Sequence, residues 1–542
     1  MTFTFRALEL HGRRMWDRVH ILRALDEIER RKMTALVLHE TDMLNHVLFP
    51  RAFFDPYAAW SGAPPRRGEN AIQNNRVWLQ NTLRLAASRN IPVWLEVKEL
   101  AFPDEVLELR PNLVRDGIIC PSDPFWWEFL EKRTAELYAD FPLVAGLIVS
   151  PGSPEGRASR AQEKCHCANC AATPLQAWYK AVIGALHRPS LAAGKPLAVR
   201  EFAYKPKDQG PLLAAIEEMP ADIILCAKVT PHDFYPTFPD NPAIIPRKRP
   251  MWVEYDVHGQ FFGWGLLPCL VQQDIAARFA HGTANGVSGA LLRVEWERVN
   301  DLWALETPNR MNLIAAAALA AGETPTEEQV CATWLAEEAL DEAAAPWLAQ
   351  IMRRTWPLVR SALFVGDHVF ADCSMFPRSM GRAFWTMEHK HSLMDWDESR
   401  RGELDADTAR FEAFLAEKAA AIADATDIAA LLETAPAGIE LATATTIRHA
   451  FRHMVDHVLG LALCAEACLR ARCVSAGLGG SEMRDGLSTS IERLRAFSRE
   501  AAALADGHER HQTVLLLDHQ RIGDVLAEAA SCLAAQPAAG NG

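Results

Sequence analysis

The chain has 542 residues and no run of 18 apolar ones, so no membrane-spanning helix is expected. It also lacks a long basic tract, and Asp plus Glu outnumber Lys plus Arg by 69 to 56, a formal charge of −13. Binding a phosphate backbone needs concentrated positive charge, so nucleic acid is not an expected partner. Cysteine is scarce, at 12 residues, which excludes a disulfide scaffold. Cys226 and Cys269 read as small buried hydrophobes. No G-x-G-x-x-G follows the first apolar run, which removes support for a dinucleotide-binding sheet. The opening MTFTFRALELHG has no long apolar stretch and no small-residue cleavage site, so a cytoplasmic protein is expected.

What is present is globular composition, with 49% of residues in the AVILMFWYC set, enough to bury a large core. Short apolar runs at 5–10, 34–39, 93–97, 143–150, 197–202, 223–228, 251–257 and 290–296 alternate with helical patterns. Eight strands alternating with helices predict a closed (β/α)8 TIM barrel over 1–315. An open doubly wound sheet is the rival. From 316 to 535 Ala, Leu and Glu dominate, strand-like runs vanish, and a helical C-terminal domain is expected. The stretch 363–400, rich in Phe, Met, Trp and His, reads as a long loop reaching back over the barrel. Residues 536–542 read as a disordered tail. An exposed apolar stripe over 445–473 would make the helical domain a homodimer surface.

Barrels carry chemistry at the C-terminal ends of their strands. Here those ends are polar, with Glu40, Glu96, Glu155, Glu201, Asp233, Glu254 and Asp256 among them. Glycosidic hydrolysis needs a proton donor for the leaving oxygen and a second carboxylate that attacks or activates water. Glu155, in VSPGSPEGR, is a candidate donor, and a donor needs burial or a neighbouring carboxylate to hold its proton. Asp233, in a loop stiffened by Pro231 and Pro236, is a candidate base. Glu254 and Asp256 share one face of their strand and need cationic partners if they point inward. Lys228, Arg200, Arg157, Arg160 and Arg293 are candidate cations for an acidic sugar, and Trp252, Trp264 and Trp296 candidate stacking surfaces. Each of these also has a structural reading, as a loop ion pair or a packing aromatic.

Two other readings compete. His39, Glu40, Asp42, Glu96 and Glu99 could hold a divalent cation, as in a metal-dependent sugar isomerase or lyase. A non-catalytic carbohydrate-binding barrel would bind sugar without turnover. Separately, Cys165, Cys167 and Cys170 crowd soft donors into six residues, and Cys120 from another loop could complete a structural zinc site. Unliganded loop thiols are the alternative. No catalytic cofactor is expected.

Three segments resemble glycoside hydrolase family 67, the α-glucuronidases that remove glucuronic acid from xylan fragments. GLIVSPGSPEGR resembles the family's general-acid segment, with the acid on Glu155. ILCAKVTPHDFYP resembles the segment in which a lysine precedes an aspartate by five residues, here Lys228 and Asp233. MWVEYDVHGQFFG resembles the next strand, whose carboxylate falls on Glu254. The resemblance implies inversion: Glu155 protonates the leaving oxygen, Asp233 and Glu254 manage water, and Lys228 binds the substrate carboxylate. Glu40, Glu96, Asp256, Arg157, Arg200, Trp252 and Trp296 would line an oligosaccharide site. With a first strand expected from about residue 5, the family's N-terminal β-rich domain is not expected in these 542 residues, and Pro151 stands where the family has a lysine. Arg157 is a candidate replacement for that charge.

Overall fold

The computed structural model describes residues 2–48, 50–54, 69–296, 303–506 and 517–535. Eight parallel strands close a barrel: β1 (Phe5–Leu10), β2 (Ala35–His39), β3 (Val93–Glu99), β4 (Val144–Pro151), β5 (Leu197–Glu201), β6 (Ile224–Lys228), β7 (Met251–Asp256) and β8 (Gly289–Arg293). Neighbours in sequence are neighbours in the sheet, and β8 closes on β1 with Ala7 opposite Leu291. The barrel expectation holds, and the open-sheet rival falls.

The strands are buried on both faces, which is why they read as continuous apolar runs. Their outward residues, such as Leu8, Leu36 and Leu95, join the core under the surrounding helices. Their inward residues alternate with these and form a separate cluster of Ala7, Ala35, Val37, Trp94, Ile148, Ala198, Ile224, Cys226, Trp252 and Leu291. Gly146 and Gly289 leave room for its indoles, since a Cβ there would sit 2.4 Å from Trp94 and Trp252 respectively. Two residues further along the same strands, the inward positions become Glu9, His39, Glu96, Arg200, Glu254 and Arg293. The next step gives Lys98, Lys228 and Asp256. Apolar at the floor and ionised toward the mouth, this interior is layered by strand parity alone.

The remainder is mainly helical, with Glu327–Glu337, Ala345–Leu363, Thr408–Glu433, Leu441–Ala450, Met454–Ser475, Gly480–Asp506 and His519–Ala534 as its longer helices. Thr326 caps the first of these in a reciprocal box with Gln329. The expected boundary at 315/316 falls inside the helix Arg310–Ala320. Met454–Ser475 is the central helix, packed by its neighbours on most sides. Its apolar face is spent internally, so the stripe expected to support a homodimer is not exposed. No described helix is long and apolar enough to cross a membrane. The expected tail, 536–542, lies outside the described residues.

Candidate active site

At the C-terminal mouth of the barrel lies a cavity of about 200 Å³. Its walls include Glu155, Asp233, Lys98, Lys228, Arg200, Arg293, His11, Tyr204, Tyr235 and Trp296. The stretch 363–400 does reach back over the mouth, contributing Asp372, Cys373, Lys390 and His391. Ser374 pins it there, accepting from the Gly263 amide at 2.9 Å and donating to the Gln260 carbonyl at 2.8 Å. A larger open groove of about 920 Å³ lies beside Arg30–Lys32 and the helix Glu327–Glu337, away from the strand ends that carry the carboxylates.

Two of the cavity's carboxylates are each held by a strand-end lysine. Glu155 is paired with Lys98 of β3, and Asp233 with Lys228 of β6 at 2.8 Å. Burial alone would raise Asp233, but Lys228 and Arg293 outweigh it and hold its carboxyl down at about 2. Lys228 sits over the Phe202 ring at 3.4 Å, and its burial pulls it down to about 8 in spite of Asp233. Asp372 is the third carboxylate, bound by Lys390 at 2.5 Å and His391 at 3.1 Å. The cavity wall thus carries five side-chain cations (Lys98, Arg200, Lys228, Arg293 and Lys390) against three carboxylates.

Beneath the cavity, Arg200 grips Glu254 with two hydrogen bonds and lies 3.1 Å from Glu96. Both oxygens of Glu254 are taken, and it is not among the cavity residues, so its placement is under the site rather than on it. Asp256 accepts the amides of His258, Gly259 and Gln260 and pairs with Arg293 at 3.2 Å, which shapes the loop after β7. Glu96 is pushed up to about 7, chiefly by burial and then by the Glu254 charge against Arg200. Burial also raises Glu9, its strongest cause, with Glu254 and Glu96 adding.

Several expected residues are elsewhere. Trp252 stacks face to face on Phe5 at 3.8 Å in the barrel floor and cannot meet a ligand at the mouth. Arg157 donates to the Phe102 carbonyl and pairs with Asp104, so it is not the cation beside Glu155; that cation is Lys98. Glu40 pairs with His46, outside the cavity. Lys98, His11 and the 372–391 residues were not singled out from sequence as site residues. Lys98 could have been found, because it shares strand parity with Glu96.

The metal reading finds two groupings. Glu40 and Asp42 hydrogen-bond His46 and raise it to about 10, so that imidazole is protonated and engaged. His11 stacks on His39 at 3.7 Å and 11°, and parallel rings share no point along both in-plane lone pairs. With Glu9 beside the stacked pair, each group keeps its ligand atoms within 4.8 Å of one another, and each is closed by its own internal contacts. The cysteines differ. Cys120, Cys165, Cys167 and Cys170 gather with their sulfurs within 4.8 Å of one another. A tetrahedron of Zn–S bonds of about 2.3 Å has S···S edges of about 3.8 Å, against 3.3 and 3.7 Å from Cys120 to Cys167 and Cys170. Such a cluster is geometrically suited to a structural metal. It ties the loop after β3 to the loop after β4, which carries Glu155. Purified protein is expected to carry about one zinc per chain by elemental analysis, and Cys120→Ser to lower both zinc content and melting temperature. Full zinc content in that variant would reject the assignment.

No protein-family model matches the chain, and no curated protein does. Among solved structures, a GH138 enzyme targeting pectin rhamnogalacturonan II aligns over 93% of this chain with a TM-score of 0.63 at 10% identity. This chain spans 62% of that one. A Thermobaculum terrenum O-GlcNAc hydrolase mutant aligns over 98% of this chain and 94% of its own, at 11% identity and TM-score 0.42. A β-N-acetylhexosaminidase from Bacteroides fragilis aligns over 64% of this chain and 71% of its own, at 13% and 0.39. The first likeness establishes a shared fold, a barrel of the kind found in glycoside hydrolases.

Proposed function

We propose that the protein is a glycoside hydrolase that removes a terminal acidic sugar, glucuronic-acid-like, from an oligosaccharide by single displacement with inversion. The supporting observation is one cavity at the strand ends that holds Glu155 and Asp233, each on its own lysine, with three further cations, Arg200, Arg293 and Lys390, in its wall. Glu155 gives a proton to the leaving oxygen. Asp233, ionised at any working pH, holds the water and takes its proton as it attacks from the opposite face. Lys228 and Lys390 meet the sugar's carboxylate, and Trp296 stacks on its ring. Glu254 is a positioning residue that aims Arg200.

Glu155 is about a third exposed and its ionic neighbour is an ammonium, not a carboxylate. In this reading the substrate draws Lys98 to itself and frees Glu155 to hold the proton. A panel of aryl glycosides, uronides beside their neutral hexosides, tests the function. Turnover of an uronide, with the first-formed anomer inverted by proton NMR, is expected. Turnover of neutral sugars alone would remove the acidic specificity, and turnover of none would remove the hydrolase.

Lys228 supplies a pH test. Its ammonium is charged below about 8 and neutral above. For an uronide, kcat/KM is therefore expected to fall about tenfold per pH unit above that point, since this parameter reports the free enzyme. Lys228→Met should remove that limb and raise KM at pH 7. A neutral analogue should not show it.

A further inference from the structure

A second cavity, about 220 Å³, opens beside the first and shares Asp372 and Lys390 with it. One ion pair therefore lines two spaces of similar size. The second space is lined by Arg378, Arg382, Lys390 and Arg521, with Asp372 as its one carboxylate. Asp372 is already committed to Lys390 and His391. Arg521 comes from the helix His519–Ala534 and donates to the Phe376 carbonyl at 3.0 Å, while pairing with Asp518. Arg378 is exposed, and Arg382 lies over the Trp385 ring at 3.8 Å. Among the described residues neither of these two guanidinium groups has a carboxylate partner. Clustered like charges repel, so a group of cations with unused donors around one cavity is an anion site by its chemistry.

We propose that this second cavity is a subsite for a further anionic unit of the same substrate, the carboxylate of the sugar beyond the scissile bond. The inference rests on the hydrolase reading above. Contiguity argues for it over a separate anion site, because Asp372 and Lys390 line both cavities. It also gives the helical region a role in recognition, through Arg521.

Calorimetric titration of the full chain tests this with a uronic acid monomer, a linear uronate trimer, the trimer as its neutral methyl ester, and inorganic phosphate. The trimer should bind about tenfold tighter than the monomer, a gain set by charge-assisted hydrogen bonds. The ester should lose that gain. Arg378→Ala/Arg382→Ala should abolish it while leaving monomer affinity unchanged, and both positions are exposed enough for the variant to fold. An undiminished trimer affinity in the double variant would overturn the proposal. Phosphate binding that vanishes in the double variant, without any trimer gain, would assign the cavity to a free inorganic anion instead. Monomer binding without trimer gain sinks this inference alone, whereas no sugar binding at all sinks the hydrolase reading with it.

Discussion

Asp233→Asn is expected to lower kcat on an uronide by about 10³-fold, near the middle of the range for a positioned acid or base. The change is nearly isosteric. It keeps an oxygen that can accept the Phe234 amide, now bonded at 3.1 Å, and removes only the charge and basicity. Asp233 helps to keep buried Lys228 charged, so its loss lowers Lys228 further, and KM for an acidic sugar at pH 7 should rise while kcat collapses. Added azide should restore part of the turnover, attacking the anomeric carbon while the leaving oxygen takes the proton of Glu155. The glycosyl azide must have the configuration opposite to the substrate. A retained product would overturn single displacement even if the activity loss were as large as expected. Glu155→Gln should divide by leaving group: a small loss on an acidic phenol that departs without a proton, a large one on an oligosaccharide. Equal losses on both would remove Glu155 from the donor role.

The barrel was legible because a strand buried on both faces writes an uninterrupted apolar run. Eight such runs, spaced by helices, admit few closed topologies. The inward parity of Glu254 and Asp256, and their need for cations, were legible for the same reason. Which cation serves which carboxylate was not. Arg200 lies on β5, 54 residues from Glu254, and strand order alone does not set how far a long side chain reaches. Sequence neighbours also misled: Arg157 is two residues from Glu155 but turns to Asp104, while Lys98, 57 residues away, makes the pair. Trp252 sits only two positions before Glu254, yet that step of strand separates the floor of the barrel from its ionised layer. The covering stretch 363–400 was visible as a composition. Its contacts depend on Cys373 and Ser374 with positive φ, at 50° and 58°, which no local pattern announces.

The largest stability effect should come from Glu254 rather than from the cavity itself. Removing one partner of a buried ion pair strands the other charge, at a cost of about 3–5 kcal/mol. Glu254→Leu leaves the Arg200 guanidinium without its two-pronged partner in a fully buried layer. Glu96 limits the damage. Burial and the Glu254 charge keep it near 7 in the wild type, so removing that charge lets Glu96 ionise and take over Arg200, which it already approaches at 3.1 Å. A loss of about 3 kcal/mol is therefore expected rather than 5. Urea unfolding followed by tryptophan fluorescence should register it. The double variant Arg200→Met/Glu254→Leu should recover most of that loss, because an apolar pair of similar volume needs no partner. It should nonetheless be inactive, since it has no guanidinium at position 200 to line the cavity. If the double variant instead regained turnover along with stability, the ion pair would be only a brace, and the barrel's ionised layer would have no part in holding the substrate.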